Sequence, residues 1–376
     1  METTRYFPEG IALGSAFVNR EEERQTLASR IKSHKHSVLI APRRYGKTSL
    51  VMKVAEELDV CHCTIDLLAA YNQEYVRDQI LDKVSRLVFE LLPPIKKATE
   101  TLLNIFNQMK PEISIGAFGQ RLSLRLSTSP LQDITGLLLK LDETAKHFKK
   151  RAVIFIDEFQ QISQLKNFYS IEASIRHAVE RSQNISYVFS GSNRHLLHQM
   201  FGDQGRPLYR LCKIIPIERM SEEVYVPHLQ KVAKLRWNKI IDDDAVHRIL
   251  HHTELHPFYV NVLCQMAWEE NHPPSVKAID SIWHEYVKSQ RHIISHDLTT
   301  LSLNQRRIIT ALAHTPIKEI QSIDFITTIK VSASSVQQSV DALQHKDLVY
   351  RRADGYYAVL DPAMRYYLDV ILWGGM

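Results

Sequence analysis

Eight residues, Ala41-Pro42-Arg43-Arg44-Tyr45-Gly46-Lys47-Thr48, carry the clearest chemistry in this sequence. Their spacing is that of a phosphate-binding loop, with alanine in the first glycine position. Each residue type has a physical task there. Gly46 lets the backbone approach a phosphate without a Cβ in the way. Lys47 can bridge β- and γ-phosphates, and the Thr48 hydroxyl can ligate Mg²⁺. Pro42, Arg43, Arg44, Tyr45 and Ser49 complete the segment expected to touch nucleotide. A basic turn can match this spacing by chance. Here an apolar strand pattern precedes the loop and a helical pattern starts near Gly46, which aims backbone N–H groups and a helix N-terminus at the anion.

A second set closes the apolar run Val153-Ile154-Phe155-Ile156 with Asp157 and Glu158. Alone, two acids ending a strand read as a solvated turn. Downstream of a phosphate loop, Asp157 is the expected Mg²⁺ holder and Glu158 the expected general base for an attacking water. A third set, Ser190-Gly191-Ser192-Asn193-Arg194, ends the next strand pattern. Ser190, Ser192 and Asn193 can sense a γ-phosphate, although a helix cap explains Ser192 or Asn193 equally well. Arg194, Arg206 and Arg210 are each able to neutralise transition-state charge, an effect of about 10³–10⁵ in rate in favourable systems, with Arg206 taken as the catalytic candidate, although a surface or structural role explains any one of them better. An arginine acting in trans would tie activity to a homo-oligomer.

Other clusters are weaker. Cys61-His62-Cys63 lacks a second ligand pair at zinc spacing and reads as part of a strand. His252 and His256 share a face only if one helix runs through both, and Pro257 disfavours that. The guanine-reading Asn-Lys-x-Asp pattern is not in the chain, which favours ATP/ADP as the nucleotide.

The elements that must position these residues follow from hydrophobic periodicity. Ser37–Ala41, Val60–Leu67, Ala152–Asp157, Ile185–Ser190 and Lys213–Ile217 are short aliphatic runs, as in a parallel sheet covered on both faces. Thr48–Leu58, Glu74–Leu92, Leu131–Lys149 and Ile171–Arg181 carry helical spacing between them. The alternation predicts an α/β P-loop NTPase core over residues 1–220. Met109–Pro130 breaks the rhythm and predicts an inserted β-hairpin through Ile113, Ile115, Leu122, Leu124 and Leu126. Ser221–Lys239, Asp242–His252, Pro257–Glu270 and Ser275–Ser289 carry helical patterning, so residues 221–297 predict a lid-like α-helical domain. Residues 298–376 predict helices at Asn304–Ala313 and Ser334–Gln344. A strand, the Asp354-Gly355 turn, a second strand and a last helix at Pro362–Leu372 follow, which is the layout of a winged helix-turn-helix domain.

Composition sets bounds. The 376 residues exceed one compact core and imply two or three domains. Lys plus Arg (47) nearly balance Asp plus Glu (42), so charge permits nucleic-acid binding without arguing for it. Four scattered cysteines do not make a disulfide framework. Neither a signal-peptide pattern nor a membrane-spanning run stands out, which makes the cytoplasm the expected location and a membrane partner unexpected.

Together these motifs resemble the archaeal-type ATPase family, a branch of the STAND and AAA+ P-loop ATPases. Phe17-Val18-Asn19-Arg20-Glu21-Glu22-Glu23 is similar to the family's opening F-x-x-R-x-x-E box, which implies that Arg20 lies beside the nucleotide. Pro42 to Leu50 is similar to its P-R-R-x-G-K-T-S-L loop, and Phe155 to Gln160 to its Walker B strand. Gly191-Ser192, His195-Leu196, Met200-Phe201 and Arg206-Pro207-Leu208-Tyr209 resemble its sensor segment. His256-Pro257-Phe258-Tyr259 is similar to its lid element, which implies that His256 and Pro257 contact nucleotide. Ser334 to Leu343, Leu348-Val349 and Asp361-Pro362 resemble its terminal winged helix. Ala41 and Leu255 depart from it, each standing where a glycine is usual.

The resemblance implies an ATPase switch whose nucleotide state controls the lid and the winged helix. Two other readings stay open: a DNA-binding protein controlled by ATP, and a nucleotide-dependent scaffold with negligible turnover. From Leu298 to Met376, eight basic side chains face seven acidic ones, and Ser334–Gln344 holds Asp341 but no lysine or arginine. Phosphate contacts dominate DNA affinity, so this helix favours an unidentified protein partner over DNA, with Arg351 and Arg352 on the wing as the exception.

Overall fold

The computed structural model describes residues 5–92, 112–116, 119–123, 129–352 and 354–372. It divides into two compact units, one of Arg20–Ile217 and one of Met1–Asn19 with Glu218–Met376.

The first unit contains, in order, α1 (Glu21–Lys32), β1 (Ser37–Ile40), α2 (Lys47–Glu57), β2 (Cys61–Asp66), α3 (Gln73–Leu91), β3 (Glu112–Gly116), β4 (Gly119–Ser123), α4 (Pro130–His147), β5 (Ala152–Asp157), α5 (Phe168–Arg181), β6 (Ile185–Gly191), α6 (Arg194–Gly202) and β7 (Lys213–Pro216). Every residue of β1 and β6 is buried, as are the first five of β5. Such strands must be covered on both faces. On one face, Leu137 and Leu141 of α4, Ile175 of α5 and Val84 of α3 share one apolar core with Val38, Ile154 and Phe189 of the sheet; Leu39, Val153 and Phe155 point to the other face and are fully buried too.

The sheet runs β2-β5-β6-β1-β7 with every pair parallel. The order places β6 between β1 and β5. Ile40 pairs with Gly191, and Ile156 with Phe189, so the chain leaves all three strands at the same end. In open α/β sheets ligands bind at this carboxyl end, where the strand order reverses. The inserted hairpin forms as its alternation predicts, with Ile113 opposite Leu122 and Gly116 opposite Gly119. Leu124 and Leu126, also expected in it, lie outside the described residues.

The second unit holds α7 (Glu222–Trp237), α8 (Asp243–Thr253), α9 (Pro257–Ala267), α10 (Val276–Ser289), α11 (Arg291–Thr299), α12 (Leu303–His314), α13 (Ile323–Ile329), α14 (Ala333–His345), β8 (Val349–Arg351), β9 (Tyr357–Val359) and α15 (Pro362–Tyr366). One apolar core runs through it, from Trp268 and Trp283 to Leu312, Val336 and Met364. The expected division at 297/298 therefore does not separate two cores. A further correction concerns the N-terminus, expected within the 1–220 core. Phe7 is 1% exposed inside the helical unit's core, edge-on to Trp268 at 5.1 Å. Asn261 Nδ2 also donates to the Pro8 carbonyl at 2.8 Å. The chain changes unit at Asn19 and Arg20, both left-handed (φ 50° and 63°).

The winged helix is α12, α13 and α14 followed by the β8–β9 wing. Ile317 bridges to Tyr357 as the wing's outer rung. Ser302 and Gln305 form a capping box on α12. The α11 and α13 helices are additions to the sequence-based expectation. The last helix also differs, since α15 passes into a π-helical stretch at Tyr367–Leu372.

Candidate functional site

The phosphate loop is a strand-to-helix turn with two left-handed residues, Arg44 (φ 64°) and Gly46 (φ 83°). Glycine adopts this conformation freely, whereas arginine does so at a cost of roughly 1–2 kcal/mol. Strain of this kind collects at ligand clamps. Gly46 precedes the first turn of α2, which no side chain caps. Lys47 is 6% exposed, and its Nζ donates to the carbonyls of Ala41 (3.1 Å) and Pro42 (3.0 Å). The ammonium is thus held across the loop's concave side. Ala41 is buried and is not left-handed, so a methyl group is compatible with the first glycine position. Arg20 is buried at 7% exposure; it pairs with Glu23 at 3.1 Å and donates to the Tyr45 carbonyl at 3.2 Å. It braces the loop from behind.

The acids at the end of β5 meet this loop. Thr48 Oγ1 donates to Asp157 Oδ2 at 3.1 Å. A hydroxyl and a carboxylate oxygen side by side form the hard donor set that suits Mg²⁺, which keeps several waters and takes few protein ligands. Asp157 Oδ1 accepts from Ser190 Oγ and from the Glu158 N–H (2.9 Å), which fixes its orientation. Glu158 is left-handed (φ 50°) and opens a short 3₁₀ turn over Phe159–Gln164. Its Oε2 accepts from Ser192 Oγ at 2.8 Å and from Gln160 Nε2 at 2.5 Å. Arg43 Nε of the phosphate loop donates to the same Ser192 Oγ at 3.4 Å. The ends of β1, β5 and β6 are thereby joined in one hydrogen-bonded cluster: Thr48 to Asp157 to Ser190, and Arg43 to Ser192 to Glu158.

Two neighbours of this cluster, Gln160 and Gly191, stand within the sequence motifs but have no role assigned by them. Gln160 is 2% exposed, and its Oε1 is buried without a hydrogen-bond partner among the described residues. Gly191 makes room for it, because a Cβ there would lie 1.7 Å from Gln160 Oε1. The available signal was a glycine closing a fully buried strand, where close approach rather than turn formation explains it.

Other expected site residues are employed elsewhere. Asn193 turns its side-chain oxygen to the Leu196 N–H at 3.0 Å and caps α6. Arg206 corrects a stronger expectation. Its guanidinium forms a bidentate ion pair with Glu172, which is fully buried, with Nε at 3.1 Å from Oε2. It also donates to Ser163 Oγ at 2.9 Å and lies over the Phe168 ring at 4.8 Å. Burial pushes the Glu172 carboxyl up, and Arg206 pulls it back. This is a structural anchor. Burial also pushes the Cys63 thiol up to about 12, against the thiolate form that a metal needs.

His256 and Pro257 belong to the helical unit. Helix α8 stops at Thr253, then Glu254 and Leu255 are both left-handed (φ 47° and 61°), and His256 precedes Pro257 at the first position of α9. Leu255, in place of the glycine, thus adopts the conformation glycine would favour. The same turn is tied to the winged helix. Arg219 reaches Glu254 Oε2 at 2.8 Å and the Leu360 carbonyl at 2.7 Å. Arg365 pairs with Glu254, Arg352 lies 3.9 Å from it, and Tyr259 donates to Asp361 Oδ2 at 2.5 Å.

The fold is that of an α/β P-loop NTPase followed by helical and winged-helix elements, as the motifs predict. Residues 293–370 match the family model described as a probable winged helix domain. The Walker-type ATPase PABY2304 of Pyrococcus abyssi is similar in structure over 95% of this chain and 97% of that one, with a TM-score of 0.68 at 15% identity. The ORC2 protein of Aeropyrum pernix, in ADPNP–ADP complexes, is similar over 99% of this chain and 98% of that one, with a TM-score of 0.54 at 12% identity. Its ADP form gives a TM-score of 0.51 at 13% identity, with the same coverage. No curated protein matches in sequence. These likenesses bear out the resemblance to archaeal-type ATPases at the level of fold. Among the described residues, no helix is long and apolar enough to cross a membrane.

Proposed function

We propose that the chain is an ATP-binding and ATP-hydrolysing switch. The observation that carries this reading is the single cluster joining Thr48, Asp157, Ser190, Arg43, Ser192 and Glu158 at the carboxyl ends of three strands. ATP lies along Pro42–Ser49 with its β- and γ-phosphates at Lys47 and the first turn of α2. Thr48 and Asp157 would hold Mg²⁺, which would offset phosphate charge. Glu158 takes a proton from water as the water oxygen bonds to the γ-phosphorus and the bond to the β-phosphate bridge breaks, leaving ADP and phosphate. Ser192 and Arg43 report the γ-phosphate, because both already bond to one another and Ser192 to Glu158. Arg20 positions the loop. Within the helical unit, the Glu254 and Tyr259 contacts tie the turn that holds His256 and Pro257 to the winged helix, so a change at one moves the other. The likeness to the Walker-type ATPase of Pyrococcus abyssi and to the ADPNP and ADP complexes of the Aeropyrum pernix ORC2 protein supports this reading.

For the winged helix we favour contact with protein over DNA. The exposed positions of α14 are Ala333, Ser334, Gln338, Asp341 and His345, which offer phosphate no lysine or arginine. Binding of a fluorescent ATP analogue and phosphate release test the switch together. Lys47→Ala is expected to lose binding, and Glu158→Gln to keep binding while losing turnover. Wild-type turnover in both variants would sink the proposal.

A further inference from the structure

We propose that the groove between α12 and α13 docks an acidic amphipathic helix of a protein partner. The inference rests on the protein-contact reading of the winged helix and gives it a place and a chemistry. It is independent of ATP turnover, so either can fail alone.

The groove has a volume of about 580 Å³ and lies wholly within the winged helix. Its floor is apolar, with Phe325 and Ile329 each 5% exposed and Ala311 and Ile317 beside them. Its rim is cationic, with Arg306, Arg307 and Lys330 against the single acid Asp324. Among the described residues, no carboxylate pairs with Arg306, Arg307 or Lys330; Arg307 Nη1 donates instead to the Lys330 carbonyl at 3.2 Å. Unneutralised cations around an apolar floor call for a ligand that is apolar on one face and acidic at its edges.

The length favours a helix as that ligand. Arg307, Thr310, Ala311 and His314 line the groove from successive turns of α12, a run of about 10 Å at 1.5 Å per residue. A docked helix presents apolar anchors at i, i+3 or i+4, and i+7 over the same span. Ile323, next to the groove-lining Asp324, is 83% exposed and adds an apolar side chain at the head of α13. Nucleic acid would use the cations but not the floor, since phosphate and sugar gain nothing from Phe325 and Ile329.

The test uses the full chain and a fluorescein-labelled helical peptide with leucines on one face and glutamates flanking them, read by anisotropy. Saturable binding is expected, weakening as salt rises. Reversing the exposed rim charges, Arg306→Glu with Lys330→Glu, should weaken it by about tenfold or more. Ala311→Trp should fill the groove and abolish binding. If Ala311→Trp lowers the melting temperature, the exposed charge reversal carries the test. A peptide with lysines in place of the glutamates should not bind. Failure of the acidic peptide to bind, or equal binding to the charge-reversed chain, overturns the proposal. So does displacement of the peptide by duplex DNA whose own binding shows the same dependence on Arg306 and Lys330.

Discussion

The carboxyl end of the parallel sheet and the outer face of α14 are both polar surfaces, built in opposite ways. At the sheet end, Thr48 meets Asp157 across 109 residues of chain and Arg43 meets Ser192 across 149. The backbone is left-handed at Arg44, Gly46 and Glu158. On α14, Gln337 bonds to Asp341 one helical turn away, and no residue of the helix is left-handed. Bringing distant polar groups together in strained backbone opposes folding, through lost entropy and buried polarity. A local helix face needs no such arrangement. The contrast locates the chemistry at the sheet end and leaves α14 as packing with a solvated outside.

The sharpest way to break this contrast is to alter both surfaces and measure turnover. Glu158→Gln should lower turnover by roughly 10²–10⁴-fold, the usual contribution of a positioned base. Gln338→Ala with Asp341→Ala should leave it unchanged. A loss in the α14 variant would mean that the winged helix takes part in the chemistry. Gly191→Ala should come next. Its Cβ would fall 1.7 Å from Gln160 Oε1, so the glutamine must leave and Glu158 loses one of its two side-chain donors. Misplacement of this order lowers turnover by about 10–100-fold. Adding Gln160→Ala to Gly191→Ala removes the clash and should recover part of the loss. Additive losses would show that Gln160 and Gly191 act separately.

Arg206 separates stability from chemistry within the sheet unit. Arg206→Met leaves Glu172 buried and unpaired, which should destabilise the fold by about 3 kcal/mol. Adding Glu172→Gln should return much of it, as read by urea midpoints. If Arg206→Met instead abolishes turnover at unchanged stability, the arginine belongs to the site after all.

The strands were legible because each is a continuous aliphatic run, and Lys47, Thr48, Asp157 and Glu158 because their motifs are local. What stayed hidden depends on contacts between distant positions. Gln160 and Gly191 are related only by a packing distance. Arg206 could be read as catalytic because nothing in the sequence marks Glu172 as fully buried. Phe7 sits in the helical unit's core through Trp268, a pairing with no sequence pattern. The short helix α13 carries too few turns for periodicity to register, and with it the groove stayed hidden too.

A last test, confined to acid pH, compares the two units where they are alike. Each holds a histidine that burial lowers to about 4, His36 in the sheet unit and His228 in the helical unit. In the sheet unit, His36 accepts from the Tyr187 N–H at 3.3 Å on Nδ1, so a proton there would break that bond. Desolvation lowers it most; Arg30 also lowers it, while Asp142 and the Val179 backbone raise it. In the helical unit, His228 packs edge-on to Phe7 at 6.0 Å, and desolvation followed by Lys231 lowers it. Unfolded histidine titrates near 6.5, so between about pH 6.5 and 4 the unfolded chain binds more protons than the folded one. Stability is therefore full above that window and falls as pH drops through it, by up to about 3 kcal/mol for each histidine. His36→Gln and His228→Gln should each flatten the fall in urea midpoint over this range, and the two together should flatten it further. An effect from only one of them would show that only that unit resists protonation, and the likeness between the units would fail there.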